Sequence, residues 1–180
     1  MNRTKRRISL LESVLIFLVL LSSCVMLFLI FFTQSIVISG SMENTIMTNT
    51  RIISKKYPKE IKRNDIVAFY YEDEDIPYLK RVIGIPGDEI ILKDGLVYIN
   101  GERESFEPFG FTYAYYNGEP SKLEHEYNVP NASYFVLGDN REHSFDSREF
   151  ENVYILKGEI IGKAVLKVSD DTGILWEKLK

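Results

Sequence analysis

Glu89-Ile90-Ile91-Leu92-Lys93-Asp94-Gly95-Leu96-Val97-Tyr98-Ile99-Asn100-Gly101 is the stretch that decides the fold class. Its two short apolar runs end at Asp94-Gly95 and at Asn100-Gly101. Both dipeptides favour the positive φ that two-residue hairpin turns require, so the stretch predicts a three-stranded antiparallel meander. Working outward, Ile66-Val67-Ala68-Phe69-Tyr70, Tyr78 to Ile85, Tyr134-Phe135-Val136-Leu137 and Glu159 to Val168 have the same strand character. No amphipathic helical period stands out between residues 36 and 180. That region is expected to be mostly β, with the acidic run Glu72-Asp73-Glu74-Asp75 as a solvated loop.

The amino-terminal segment is of another kind. Val14 to Phe32 is 19 residues of which only Ser22, Ser23 and Cys24 are even mildly polar, and no charge occurs from Ser13 to Met42. At about 1.5 Å per residue a helix of that length reaches roughly 29 Å, enough to cross a bilayer core. Arg3, Lys5, Arg6 and Arg7 precede it against Glu12, a net +3, and the positive-inside rule then predicts a cytoplasmic amino terminus. A cleaved signal is disfavoured because the apolar run is too long and no A-x-A-like site follows. A lipoprotein signal at Leu21-Ser22-Ser23-Cys24 is disfavoured because Val25 to Phe32 continues the apolar run. The expected division is a basic tail (1–12), a transmembrane helix (13–33) and an extracytoplasmic domain (34–180).

Composition narrows the functions available. The net charge is −4, so residues beyond the first twelve carry −7, which argues against a nucleic-acid binder. One cysteine excludes an internal disulfide and multi-cysteine zinc sites, and His125 and His143 leave little for a metal centre. Residues 106–127 hold seven aromatics, read either as a small cluster under a loop or as a surface for lipid headgroups or substrate.

Three segments carry the chemistry. Ser39-Gly40-Ser41-Met42 follows the apolar run closely enough that Ser41 lies within roughly 30 Å of the bilayer. A serine needs a base to act as a nucleophile, and His143 and Lys80 are both available. Lys80 lies in the apolar strand Pro77-Tyr78-Leu79-Lys80-Arg81-Val82-Ile83-Gly84. On an edge its ammonium would sit in water; buried, it would lose its proton more easily. Lowering it to about 8 costs roughly 3 kcal/mol, and requires that no carboxylate hold it charged. The third segment, Gly138-Asp139-Asn140-Arg141-Glu142-His143-Ser144-Phe145-Asp146-Ser147-Arg148, reads as a turn braced by Asp–Arg pairs, with a hydroxyl able to orient a lysine.

Taken in order, these segments resemble the motif boxes of bacterial type I signal peptidases. The second box extends through Ile85-Pro86-Gly87-Asp88, and Arg63-Asn64-Asp65-Ile66-Val67-Ala68-Phe69 matches a further box loosely. The resemblance covers about residues 35–165 and the single amino-terminal anchor. It implies an antiparallel β-sheet catalytic core with a small variable β insert, here about residues 92–132. It implies Ser41 as nucleophile, Lys80 as general base, and Ser39 with the Ser41 N–H as oxyanion hole. Ser144 would orient the lysine, Asp146 and Arg148 would form a supporting ion pair, Asp139 and Arg141 would brace the same loop, and Met42 would pack beneath the nucleophile. Arg81, beside the base, would be structural.

The implied activity is a membrane-anchored serine endopeptidase removing signal peptides from secretory precursors with Ala-x-Ala-like preference. It needs no metal, nucleotide or other cofactor; its partners are preproteins and membrane lipids. Two residues depart from the pattern. Asn44 stands where the family usually has proline, which predicts a looser turn. His143 stands where asparagine is common. The rival readings are an inactive membrane-tethered binding module with the same fold, a self-cleaving repressor-type Ser-Lys domain, and a hydrolase using His143.

Overall fold

Strand pairing in the second half of the chain is set by where the turn residues sit. The computed structural model describes residues 9–72, 74–93, 95–105, 115–116, 119–120, 125–168 and 176–179. Arg3, Lys5, Arg6, Arg7, Asp73, Asp94, Phe106, Phe109, Phe111 and Tyr113 lie outside the described residues, and with them the basic tail and most of the aromatic segment.

Two units divide at Phe32. The first contains α1 (Leu10–Phe31), 22 residues or about 33 Å long. Its start is fixed by a capping box: the Ser9 hydroxyl accepts the Glu12 N–H at 3.2 Å, and the Glu12 carboxylate accepts the Ser9 N–H at 2.8 Å. All residues of α1 are exposed, its leucines, isoleucines and phenylalanines included.

The strands run in chain order as β1 (Phe32–Ile36), β2 (Arg51–Lys56), β3 (Ile66–Phe69), β4 (Tyr78–Gly84), β5 (Glu89–Lys93), β6 (Leu96–Ile99), β7 (Glu102–Arg103), β8 (Tyr115–Tyr116), β9 (Glu119–Pro120), β10 (His125–Asn128), β11 (Ser133–Leu137), β12 (Ile155–Leu156), β13 (Ile160–Val168) and β14 (Trp176–Lys178). The main sheet has the order β1-β2-β13-β3-β4-β11-β12, with β14 also on β13. A second sheet has the order β10-β5-β6-β7, and β8 pairs with β9. All the strand pairs with a defined register are antiparallel. The expected meander is β5-β6-β7, and the Asn100-Gly101 turn takes φ of 53° and 81°, both in the left-handed region. The mostly antiparallel β architecture with one amino-terminal apolar helix is therefore as expected.

Continuous apolar runs mark strands covered on both faces. Side chains alternate across a strand, and β11 sends Tyr134 and Val136 into one core and Phe135 and Leu137 into another. β4 divides likewise, with Val82 on the first side and Ile83 on the second. A third cluster gathers Val37, Met42, Ile46, Ile52, Ile66 and Ala164. Of the aromatic segment, Tyr127 packs on the second core with its ring 4.8 Å from Phe135. Register does the rest: Val67 faces Lys80 and Leu137 faces Arg81, so the chain leaving β11 enters the Gly138–Arg148 loop beside Lys80.

Candidate active site

Ser41 lies in a single 3₁₀ turn, Gly40–Met42, held from below and from the side. Beneath it, Met42 is wholly buried in the third apolar cluster. Beside it, the Asn140 N–H donates to the Ser41 carbonyl and the Asn140 side-chain amide to the Gly40 carbonyl, each at 3.0 Å. The turn after Met42 is not loose. The Thr45 and Ile46 N–H groups both donate to the Met42 carbonyl, at 3.1 and 2.8 Å, and Asn44, within the turn so closed, has φ 75°. Proline is locked near −65° and cannot adopt that conformation, whereas asparagine tolerates it, so Asn44 closes the turn by a different route.

Lys80 is on an interior strand, between β3 and β11, and is 2% exposed; it is not an edge lysine. Its Nζ donates to Ser41 Oγ at 2.8 Å, and with the amine neutral the same contact lets the hydroxyl donate to nitrogen. Burial pushes the Lys80 ammonium down from 10.5 to about 8; Asp146 pulls it up and Arg148 pulls it down. A carboxylate is thus near this lysine, contrary to the requirement drawn from the sequence. It is tolerated because Asp146, fully buried, spends its charge elsewhere. It accepts Arg148 Nε and Nη2, each at 2.8 Å, and the Gly138 N–H at 2.9 Å. Burial alone would raise the Asp146 carboxyl, and Arg148 outweighs it to hold the group below its usual range.

The remaining expected residues fall around this contact in different ways. Ser39 Oγ is 3.3 Å from Ser41 Oγ, at the cleft. Ser144 is buried close by, and its hydroxyl acts on the Asp146 carboxylate, helping to lower its pKa. The bond to Lys80 that the resemblance implies is not made, the amine being engaged with Ser41. Asp139 and Arg141 brace the loop through different partners. Asp139 takes a bidentate pair from Arg81, Nε at 2.8 Å and Nη2 at 2.7 Å, and Arg141 Nε donates to the Gly138 carbonyl at 2.9 Å. The Arg81–Asp139 pair, at 1% and 0% side-chain exposure, ties β4 to the loop. Its rupture would strand a buried charge. His143 lines the same cleft but is exposed, and the contact with Ser41 belongs to Lys80.

Two residues not singled out from the sequence are as close as any. Asn140 holds the Gly40 and Ser41 carbonyls, which flank the Ser41 α-carbon. Gly138 has no room for a side chain: a Cβ there would collide with the Ser144 side chain and lie 2.6 Å from the Ser41 carbonyl oxygen. Both lie in the third motif segment, but nothing in their spacing revealed that they grip the Ser41 turn.

The cleft beside Ser41 and Lys80 is roughly 620 Å³. It is lined largely by Ile36, Val37, Ile38, Ile52, Ile76 and Leu79, so it suits an extended peptide with small apolar side chains. A serine hydroxyl, a buried amine in contact with it and an apolar groove alongside make acyl transfer the chemistry on offer.

The family described as signal peptidase, peptidase S26, matches residues 8–169. The chain belongs to that family. It is 32% identical over 160 residues to a signal peptidase I P of Bacillus subtilis subsp. natto, covering 79% of this chain and 82% of that one. It is 36% identical over 123 residues to a signal peptidase I of Bacillus licheniformis, covering 65% of this chain and spanning 66% of the relative's length. A crystal structure of a signal peptidase I from Enterococcus faecalis is similar at 28% identity with a TM-score of 0.45, over 58% of this chain and 97% of that one. Membership makes the chain a serine endopeptidase of the signal-peptide-removing kind. The family is membrane-anchored and works by a Ser-Lys dyad, and an apolar helix able to cross a membrane is present here as Leu10–Phe31.

Proposed function

We propose that this signal peptidase cuts secretory preproteins with Ser41 as nucleophile and Lys80 as general base. The observation that carries the assignment is the 2.8 Å contact between a buried lysine amine and the Ser41 hydroxyl at the end of an apolar cleft. Neutral Lys80 takes the hydroxyl proton as Ser41 Oγ bonds to the scissile carbonyl carbon. The Ser39 hydroxyl and the Ser41 N–H receive the oxyanion, a contribution of about 2.7–4 kcal/mol per donor in comparable sites. The carbon–nitrogen bond then breaks, and the leaving amine takes the proton from Lys80. Water, deprotonated by the now neutral Lys80, attacks the ester carbonyl, and the carbon–oxygen bond to Ser41 breaks as Lys80 returns the proton to Ser41 Oγ.

The substrate binds as an added strand, with small side chains such as Ala-x-Ala entering the apolar cleft. Asp146, Arg148, Asp139, Arg141, Ser144 and Met42 act on geometry and on the charge around Lys80. The inactive-module reading finds no support, since both members of the dyad are present and touching. Incubating the detergent-solubilised protein with a radiolabelled preprotein should yield one shorter product, cut after a small residue. A preprotein left intact, or cut at many positions, would contradict the reading.

Orientation rests on the net +3 of the first twelve residues, and the membrane span on the length and exposed apolar surface of α1. Residues 1–12 lie in the cytoplasm and 34–180 outside it. A carboxy-terminal alkaline phosphatase fusion should be active and a β-galactosidase fusion inactive, and the reverse pattern would overturn the topology.

A further inference from the structure

Within the acidic run 72–75, Glu74, exposed to solvent, has a second property. Glu74 lines the same cleft as Ser41 and Lys80. Its carboxylate is aimed rather than free: the Tyr78 hydroxyl donates to both of its oxygens, at 3.0 and 3.1 Å. The ring of that tyrosine lies 5.4 Å from Lys80 Nζ. Following these contacts from the base, the carboxylate is within about 11 Å of Lys80 Nζ, the length of three to four residues of extended chain and within reach of a long side chain closer to the bond. Among the described residues, the other charged or titratable groups on the cleft besides Tyr78 are Lys80, whose amine is engaged with Ser41, and exposed His143. One phenol donor leaves most of a carboxylate's acceptor capacity unused.

We propose that Glu74 is a specificity-determining residue that reads the charge of substrate side chains within three residues of the scissile bond, favouring lysine or arginine and disfavouring aspartate or glutamate. The inference rests on the cleft being where the precursor binds. Tyr78 supplies the geometry, fixing the carboxylate at the rim so that a passing ammonium or guanidinium meets it without further ordering. The pair is exposed to water, so its strength is that of a surface ion pair, a few-fold in rate and weakened by salt.

The test compares kcat/KM for three preproteins identical except for lysine, glutamine or glutamate placed in turn at each of the three positions on either side of the bond. In the wild-type enzyme one of these positions should favour lysine over glutamate by about three- to tenfold, and the preference should shrink in high salt. Glu74→Gln should bring that ratio to about one and Glu74→Lys should invert it, with the glutamine precursor cut at an unchanged rate. A lysine-to-glutamate ratio unaltered by Glu74→Gln at every position would overturn the proposal. So would Glu74→Gln slowing the glutamine precursor with a displaced pH–rate limb, because the residue would then position Lys80 through Tyr78 instead of reading substrate. Failure of the wild-type enzyme to cut any of the precursors would instead strike at the proposed function itself.

Discussion

Lys80→Met is expected to lower kcat/KM for precursor cleavage by at least about 10⁴-fold and at the same time to make the catalytic domain more stable at pH 7. The activity loss comes from removing the base in contact with Ser41, and Ser41→Ala should cost as much. Lys80→Arg should be equally inactive, since a guanidinium does not give up its proton. The stability gain comes from the lowered pKa. Below pH 8 the native chain keeps a proton on a buried amine that the unfolded chain keeps in water. The native state is therefore penalised in full below about 8, by roughly 3 kcal/mol for a fall from 10.5 to about 8. Between those two values the unfolded chain binds more protons than the native one, so stability rises with pH until the penalty is gone. A methionine of similar shape carries no such charge. Urea denaturation should show Lys80→Met more stable than wild type at pH 7, with the difference shrinking toward pH 10. Ser41→Ala lacks this gain. A Lys80→Met protein that is less stable than wild type at pH 7, or that still processes precursor, would contradict the assignment.

Gly138→Ala should lower kcat by at least about a hundredfold with the fold retained. The added methyl would have to occupy space held by the Ser144 side chain and by the Ser41 carbonyl oxygen at 2.6 Å. Overpacking of this kind costs about 1–3 kcal/mol of stability. Its larger effect is on placement, since the carbonyl that must move belongs to the nucleophile, and about 1 Å of displacement costs on the order of 10²-fold in rate. Adding Ser144→Gly should restore little, because it clears the side chain but not the Ser41 backbone. Full activity in Gly138→Ala, or full rescue in the double variant, would show that the loop does not set the position of Ser41.

These effects explain which parts of the molecule were legible in the sequence. β3 and β11 were visible because burial on both faces gives them continuous apolar runs, and β4 and β13 because their branched apolar residues outweigh the lysines within them. The β5-β6-β7 meander was visible because its Asn-Gly turn needs positive φ. β2 was not: Arg51, Lys55 and Lys56 give it a polar outline, and its strand character comes from pairing with β13, far along the chain. The same limit applied at the site. Ser41 and Lys80 were recognisable as motif residues, but Arg81 bonding to Asp139, 58 positions on, and Asn140 gripping the Ser41 turn depend on the register of β4 against β11. The tolerance of Asp146 near Lys80 depends on how much of its charge Arg148 absorbs, which only the folded geometry decides.

The most direct test of the central claim, that a buried neutral Lys80 activates Ser41, is the pH dependence of kcat/KM, which reports groups of the free enzyme. The rate should climb through a limb centred at about 8 as Lys80 loses its proton, and His143→Ala should leave that limb in place. A limb near about 6.5 that disappears in His143→Ala would place the base on histidine and contradict the account.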